Sequence, residues 1–245
     1  MRGFRSDSYG DAFADVYDDW YADITDLETT VGFVAELATA TGTAGSVLEL
    51  GVGTGRLALP LAGLVGRVVG IDSSAKMLHK LHEQRARSDV SGTIDTVHGD
   101  MVDDLPEGPF DVVLAAYNTV FNLTSAERQQ ACFGQVASVL RPGGSFVVEA
   151  FVPQRDPDQL RGSSVTVRSM TVDSGVLCAS VHDAERQTAE GQFIQLSESG
   201  GVRLRPWAIR WADPDELDAM ATRCGLERSE RWADYDRSPF GPTSE

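Results

Sequence analysis

Three glycines at alternate positions and one acidic residue stand together in the stretch VLELGVGTGRLALPLA, residues 47–62. Gly51, Gly53 and Gly55 lie between a short apolar run and a run with helical spacing, although glycine weakens both strands and helices. A junction of this kind exposes backbone amides and a helix start, which is where doubly wound sheets bind nucleotides. Glu49, just before the glycines, disfavours a pyrophosphate and suits a ligand that carries positive charge.

The spacing of these glycines separates two classes of ligand. The dinucleotide pattern G-x-G-x-x-G requires a small residue where Arg56 stands, so a nicotinamide oxidoreductase is disfavoured. The pattern present is E-x-G-x-G-x-G, from Glu49 to Gly55, and it resembles motif I of the class I S-adenosylmethionine-dependent methyltransferases. S-adenosylmethionine carries an α-ammonium and a sulfonium, so a carboxylate beside it is favourable.

The resemblance implies a set of cofactor-binding residues. In that family the position of Glu49 lies near the methionine moiety, and the glycines let the nucleoside lie against the backbone. Asp72 ends the run VVGID, 17 residues after Gly55, and its carboxylate would accept both ribose hydroxyls. Nicotinamide enzymes use the same contact, so Asp72 alone does not discriminate. In HGDMVD, Asp100 would accept from the adenine amino group, and Met101 would cover the ring.

Aromatic residues precede the first strand in SYGDAFADVYDDWYAD. Their spacing fits one face, or two neighbouring faces, of a helix, which is also typical of an amphipathic helix packed on a sheet. In small-molecule members of the family such a helix closes over the cofactor as a lid. The resemblance therefore assigns Tyr17 and Tyr21 to cofactor binding. Tyr9 is interpreted as a positioning hydroxyl that assists removal of the acceptor's proton.

The segment FDVVLAAYNTVFNL resembles motif IV, the strand end that faces the reacting centre. Tyr117 and Asn118 are candidates there to hold a water molecule that accepts a proton. The segment lacks the D/N-P-P-Y cluster of enzymes that methylate base amino groups, and no metal-ligand set is recognisable. His182 is a candidate base for a hydroxyl acceptor if its segment folds over the pocket. A small-molecule acceptor remains the best prediction.

Hydrophobic patterning predicts an α/β fold with a Rossmann-like, doubly wound, mostly parallel sheet. The predicted strands are 46–50, 68–72, 94–98, 110–115 and 145–151, with helices at 57–64, 74–87 and 125–140 and a turn at 141–144. Hairpin signals after Phe151 predict an inserted antiparallel meander. A helix within 212–226 and a last strand within 226–240 complete the core. The regions are thus a helical lid (1–45), a cofactor-binding core (46–151), the meander (152–211) and a C-terminal helix and strand (212–245).

Charge and composition narrow the partners. The 245 residues carry a formal net charge of −16, which disfavours nucleic acid and anionic membranes as partners. The apolar runs are too short for a membrane span, and no signal peptide is recognisable. Three scattered cysteines are typical of cytosolic thiols, so a cytoplasmic location is expected. A seventh strand is not recognisable, and the open sheet edge this leaves makes a homo-oligomer possible.

The N-terminal segment, YNTVFNL, the meander and RPWAIRW are similar to natural-product N-methyltransferases of actinobacterial type. The resemblance is greatest to the lincosamide-antibiotic N-methyltransferases, which methylate the ring nitrogen of an alkylproline joined to an amino sugar. It implies N-methylation of a small-molecule antibiotic precursor by direct displacement, without a metal. Amino-sugar N,N-dimethyltransferases, small-molecule O-methyltransferases and a non-catalytic cofactor-binding module remain as alternatives.

Overall fold

The computed structural model describes residues 1–22, 24, 26–90, 92–153, 161–241 and 244. Its helices are α1 (Ser8–Phe13), α2 (Tyr17–Trp20), α3 (Leu27–Thr39), α4 (Ala58–Leu61), α5 (Ala75–Arg87), α6 (Ala126–Val139) and α7 (Pro214–Arg223). Its strands are β1 (Ser46–Leu50), β2 (Arg67–Asp72), β3 (Ile94–His98), β4 (Phe110–Ala115), β5 (Leu140–Val148), β6 (Gly162–Met170), β7 (Ser174–Asp183), β8 (Thr188–Ser197) and β9 (Gly201–Arg210). No helix in these ranges is long and apolar enough to cross a bilayer.

A parallel sheet with the order β3-β2-β1-β4-β5 forms the centre of the molecule. Every residue of β4 is buried, because helices cover both faces of the sheet. One apolar cluster packs the sheet against α3, α4 and α5, and a second packs the opposite face against α6 and α7. The doubly wound fold predicted from the sequence is confirmed, and the glycines follow the carboxyl end of its central strand.

Strand β5 differs from its predicted bounds at both ends. It begins at Leu140, which pairs with Phe110, before residues 141–144 leave the ladder and pairing resumes at Ser145. The strand ends at Val148 instead of Phe151, because the Phe151 N–H donates to a side chain of the loop after β4. Residues 141–144, which were expected to form a turn before the strand, therefore interrupt the pairing within it.

The N-terminal aromatic segment forms two short helices instead of one continuous helix. Helices α1 and α2 are separated by residues 14–16, where the backbone leaves helical geometry at Val16. Helix α3 belongs to the predicted lid region but packs on the parallel sheet through Val31, Val34 and Ala38. The residues that cover the glycine loop are thus confined to α1, α2 and their flanks.

The insertion after β5 is an antiparallel sheet in the order β6-β7-β8-β9, as its hairpin signals predicted. Phe193 and Arg205 are direct neighbours on β8 and β9, and both contact the lid helices. The meander therefore lies over the lid, and the lid lies between the meander and the glycine loop.

The strand predicted within 226–240 is absent from the described part of the tail. Trp232 and Pro239 form an isolated bridge, and the chain between them turns back on itself. Asp236 accepts from the Ser238 N–H at 2.7 Å, and Arg237 has a positive φ of 63°. This local turn chemistry competes with strand pairing, and in its place the tail sends Tyr235 into the core.

Candidate cofactor and acceptor site

The three glycines of the loop after β1 are required for different reasons. All have positive φ values, of 62°, 57° and 86° for Gly51, Gly53 and Gly55. A Cβ at Gly51 would lie 2.8 Å from the Thr119 side chain, and one at Gly55 would lie 2.8 Å from Leu81. At Gly53 the nearest atom is a backbone oxygen 3.9 Å away, so this glycine borders open space. Gly53 is therefore the position best placed for close approach of a ligand to the backbone.

Glu49 lies at the carboxyl end of β1 and is only 5% exposed. Burial raises its pKa to about 8, against the opposing influence of the Arg56 guanidinium, while Asp72 raises it further. Its Oε2 is buried and has no hydrogen-bond partner within the described residues. An unpaired buried carboxylate oxygen beside a guanidinium fits the ammonium and carboxylate of an amino-acid moiety.

Asp72 ends β2 and holds the glycine loop. Its Oδ2 accepts from the Gly53 N–H at 2.9 Å, and its Oδ1 accepts from the Ser74 N–H at 2.8 Å. Burial raises the pKa of Asp72 above its usual range. The N-cap of α5 is Ser74, whose Oγ accepts from the Met77 N–H. Asp72 is therefore not used as the cap and lies where a ribose contact is predicted.

Asp100 and Met101 follow β3 at the same edge of the sheet. The Oδ1 of Asp100 accepts from the Val102 N–H at 2.8 Å and lies 2.5 Å from the Arg128 guanidinium. Met101 is half-buried against the apolar cluster below α6. The position suits an adenine contact, although one oxygen of Asp100 is already engaged by Arg128.

The lid is fastened to the glycine loop by polar contacts. Buried Thr54, between the second and third glycines, donates through Oγ1 to Asp18 of α2 at 2.6 Å. Gln84 of α5 donates to the other oxygen of Asp18 at 2.8 Å. Helix α1 approaches α5 so closely that a Cβ at Gly10 would lie 2.5 Å from Cβ of Ser74. These contacts place the lid directly over the loop.

The meander fastens the opposite side of the lid. Arg205 is 1% exposed and pairs with Asp15 at 2.6 Å, and Arg203 reaches the same carboxylate at 2.7 Å. The hydrogen bonds from Arg205, together with the charges of both arginines, hold the pKa of Asp15 below its usual range. Arg168 donates to the Trp20 carbonyl at 2.8 Å and lies 4.6 Å from the centroid of the Trp20 ring. Lid, loop and meander therefore form one packed unit.

A cluster of tyrosines lines the inner side of the lid. The hydroxyls of Tyr9 and Tyr21 are 3.4 Å apart, and the Tyr17 and Tyr21 ring centroids are 4.9 Å apart. Tyr117, after β4, places its ring centroid 5.8 Å from that of Tyr21. Burial raises the pKa values of Tyr9, Tyr17 and Tyr117, so these hydroxyls keep their protons near neutral pH. The cluster presents ring faces, which attract cations, and neutral hydroxyls.

Comparison with known proteins identifies the family. A methyltransferase-domain family model matches residues 47–144. The cypemycin N-terminal methyltransferase of a Streptomyces species is 30% identical over 199 residues, which span 80% of this chain and 78% of that protein. The chain belongs to the S-adenosylmethionine-dependent methyltransferases. S-adenosylmethionine is the cofactor of this methyltransferase, in agreement with the prediction from its glycine loop.

Solved methyltransferase structures extend the similarity over the whole chain. The CcbJ methyltransferase from Streptomyces caelestis is 42% identical, with a TM-score of 0.87, and the match covers 98% of this chain and 96% of that one. DesVI from Streptomyces venezuelae is 24% identical, with a TM-score of 0.68 and coverage of 91% and 94%, and it shows the shared fold alone. The lid and meander therefore lie within the part of the chain that matches CcbJ.

The loop after β4 of the methyltransferase is held in an unusual conformation. Tyr117 and Asn118 have positive φ values of 44° and 62°. The Tyr117 N–H donates to Oε2 of Glu149 at 2.8 Å, and the Asn118 Oδ1 accepts from the Phe151 N–H at 2.7 Å. The amide oxygen of Asn118 thus fastens the backbone, whereas the Tyr117 ring joins the tyrosine cluster.

His182 is not brought into that cluster. Its Nε2 lies 3.2 Å from Oγ of Ser180, and its ring lies 6.4 Å from that of Trp211. Cys178 on β7 pairs with Phe193, the meander residue that contacts the lid, and four residues along a strand span about 13 Å. The condition on which His182 could act as a base at the reacting centre is therefore not met.

Several site residues were missed by the sequence interpretation. No role was predicted from the sequence for five residues of the site, which are Asp18, Thr54, Arg168, Arg205 and Glu149. For Asp18 the signal was a carboxylate beside the aromatic residues of the lid. For the arginines no local signal exists, because their partners are about 150 to 190 residues away in the chain.

Proposed function

We propose that this methyltransferase methylates the nitrogen of a small-molecule amine, and that its acceptor is the alkylproline ring nitrogen of an N-demethyl lincosamide antibiotic precursor. The observation that carries the proposal is the cluster of Tyr9, Tyr17, Tyr21 and Tyr117, of which Tyr21 is buried and the others are half-buried. Within the described residues, each of the four histidines makes its hydrogen bond or ion pair away from this cluster. In the described part of the chain, the reacting side therefore offers aromatic surfaces and neutral hydroxyls without an imidazole base.

Among the described residues, no histidine side chain lies in the tyrosine cluster, and this favours nitrogen over oxygen as the acceptor atom. A hydroxyl requires a strong base or a metal to become a nucleophile. An amine with a pKa of about 8–10 has a usable neutral fraction near pH 8. Positioning its lone pair in line with the methyl group is then sufficient for transfer.

Each cofactor-binding residue has a chemical role in this proposal. S-adenosylmethionine supplies an electrophilic methyl group on a sulfonium. Glu49 binds the α-ammonium through its unpaired oxygen, Asp72 binds the ribose hydroxyls, and Asp100 and Met101 bind the adenine. Tyr17 lies close enough to Arg56 and Glu49 to be influenced by their charges, which supports its role at the methionine end.

Tyr9 and Tyr117 act on the acceptor side. The raised pKa of each hydroxyl makes it a donor or a positioning group, and a poor base. The proton of an ammonium acceptor must therefore leave before transfer, to water or with the help of the Tyr9–Tyr21 pair. Asp18 and Thr54 hold the lid over the reacting atoms and exclude bulk water.

One comparison supports nitrogen as the acceptor atom, and a sequence resemblance supports the acceptor class. The cypemycin enzyme is named as an N-terminal methyltransferase, so its acceptor is an amine. The similarity of RPWAIRW and YNTVFNL to lincosamide N-methyltransferases adds the acceptor class.

Methyl transfer to defined acceptors tests the proposal. The purified chain is incubated with S-adenosylmethionine and an N-demethyl lincosamide, an amino hexose or a polyhydroxylated sugar without nitrogen. We expect one methyl group on the alkylproline nitrogen and none on the other two acceptors. Two methyl groups on the amino hexose would favour the sugar N,N-dimethyltransferase alternative. Binding of S-adenosylhomocysteine without transfer to any acceptor would favour a non-catalytic module.

A further inference from the structure

The C-terminal tail delivers one tyrosine to the edge of the candidate site. Tyr235 is 9% exposed, and its hydroxyl donates to Oε2 of Glu149 at 3.1 Å. Its ring lies 5.5 Å from that of Phe33 on α3. Arg237 pairs with Glu36 at 2.6 Å and thereby fastens the same tail to α3 on the surface. Arg237 thus anchors the tail to α3 on the surface, whereas Tyr235 reaches Glu149 in the interior.

Glu149 links this tail to the strained loop after β4. The Oε2 that accepts from Tyr235 also accepts from the Tyr117 N–H at 2.8 Å. The Glu149 carbonyl accepts from the Asn118 N–H at 2.9 Å, and its N–H donates to the Ala115 carbonyl at 2.9 Å. Left-handed backbone is strained at residues other than glycine and persists only where the surroundings enforce it. Glu149 holds both positive-φ residues, because it accepts hydrogen bonds from the N–H groups of Tyr117 and Asn118.

The backbone conformation of Tyr117 determines where its ring lies in the tyrosine cluster. The Tyr117 ring contacts that of Tyr21, whose hydroxyl lies 3.4 Å from that of Tyr9. We propose that Glu149 and Tyr235 are positioning residues, which together hold Tyr117 in its left-handed conformation and so fix its ring on the acceptor side of the site. This inference rests on the proposed function, because it assigns the acceptor side to that cluster.

Four single variants separate positioning from simple anchoring of the tail. Tyr235→Phe removes one hydroxyl, and Glu149→Ala removes the acceptor oxygen. Glu149→Gln keeps an acceptor oxygen without the charge, and Arg237→Ala loosens the tail without touching Glu149. A displacement of about 1 Å can reduce turnover up to a hundredfold. We expect kcat to fall about tenfold in Tyr235→Phe and more in Glu149→Ala, with substantial rescue in Glu149→Gln and little change in Arg237→Ala.

The dissociation constant of S-adenosylhomocysteine should change less than threefold in these variants, since Glu149 holds the acceptor side. The decisive measurement is a double-mutant cycle between Tyr235 and Tyr117. In a Tyr117→Ala background the Tyr235→Phe change should alter kcat less than twofold, because its effect passes through Tyr117. Full additivity in the cycle, or a loss of kcat in Arg237→Ala equal to that in Tyr235→Phe, would overturn the proposal.

A crystal structure of the Glu149→Ala variant with S-adenosylhomocysteine gives a readout that needs no acceptor. We expect φ of Tyr117 to leave the left-handed region and its ring to move away from Tyr21. An unchanged Tyr117 would overturn the positioning role, whatever the wild-type protein methylates. A wild-type protein inactive on the lincosamide, with a displaced Tyr117 in this variant, would contradict the proposed acceptor alone.

Discussion

The hydroxyl groups of Tyr9 and Tyr21 lie 3.4 Å apart, although twelve residues separate them in the chain. Residues 14–16 interrupt the helix between them, and Phe13 of α1 contacts Trp20 of α2 across this break. In a continuous helix Tyr9 and Tyr21 would be about 18 Å apart along the axis. The observed break instead gathers Tyr9, Tyr17 and Tyr21 around the same space, with Tyr117 opposite.

Tyr9→Phe should lower kcat about three- to thirtyfold and leave the dissociation constant of S-adenosylhomocysteine nearly unchanged. Burial raises the pKa of Tyr9 well above its usual value, so the hydroxyl stays protonated and positions the acceptor. The pH dependence of kcat should therefore keep its shape in Tyr9→Phe. Tyr17→Phe should instead raise the KM for the cofactor. Loss of a pH inflection in Tyr9→Phe would show that Tyr9 is the base.

Cofactor affinity should depend on pH through Glu49. In the ligand-free protein its pKa is about 8, so the carboxyl is largely protonated at pH 6.5, whereas an ammonium ligand requires the carboxylate. Affinity for S-adenosylhomocysteine should rise from pH 6 to pH 8, with release of a proton measured by calorimetry in buffers of different ionisation enthalpy. Glu49→Gln should bind more weakly and without this pH dependence. Identical pH profiles in both proteins would contradict the assignment.

The Glu49 carboxyl group should also make the stability of the ligand-free protein depend on pH. Stability should fall as pH rises, whereas cofactor affinity should increase. The pKa of this group is higher in the folded protein than its ordinary value of 4.5, so its contribution is fully present below pH 4.5 and lost as pH rises towards 8. The loss is on the order of 4 kcal/mol over this window. The stability advantage of ligand-free Glu49→Gln over the wild type should therefore grow from pH 5 to pH 8 in urea unfolding.

The strand-end part of the site could be predicted because it depends on local pattern. Glu49, Asp72 and Asp100 each lie at or just beyond the end of an apolar run, and parallel strands bring their carboxyl ends to one edge of a sheet. The lid contacts could not be predicted in this way. Periodicity reports which face of an element is buried, but not that Arg205 finds Asp15 190 residues away.

The tail shows a second limit of local pattern. The segment around Tyr235 was expected to continue the sheet, but its turn-forming Asp236 and positive-φ Arg237 reverse the chain. Burial of Tyr235 against α3 and its bond to Glu149 then decide where the segment lies. Such tertiary partners are not encoded in the spacing of residues.

Asp72→Ala should weaken cofactor binding by about 2–4 kcal/mol, through loss of charge-assisted hydrogen bonds to two ribose hydroxyls. The same change leaves the Gly53 and Ser74 N–H groups without their acceptor, so the melting temperature should also fall. Asp95→Ala, which removes an exposed carboxylate on neighbouring β3, is the matched control. Calorimetry with S-adenosylhomocysteine decides the matter, and unchanged affinity would remove Asp72 from the site.

Thr54→Val should loosen the lid without altering the shape of the glycine loop. The hydroxyl donates to the Asp18 carboxylate, and such a bond contributes about 1.5–3 kcal/mol. Since Asp18 is largely exposed, we expect the lower end of this range, seen as roughly tenfold faster dissociation of S-adenosylhomocysteine in stopped flow. Asp19→Asn, on the neighbouring exposed position, should leave the rate unchanged. Equal dissociation rates in Thr54→Val and the wild type would show that the hydrogen bond from Thr54 to Asp18 does not hold the lid closed.

The position of the transferred methyl group tests the proposed function most directly. An acceptor that carries a secondary ring amine and several hydroxyls is methylated by the wild type and by His182→Ala, and the product is analysed by NMR. The proposal predicts methylation on the ring nitrogen in both proteins, at a rate that rises with pH and levels off near the pKa of the bound amine. A methyl group on oxygen that is lost in His182→Ala would contradict N-methylation. The assignment to the methyltransferase family would not be affected.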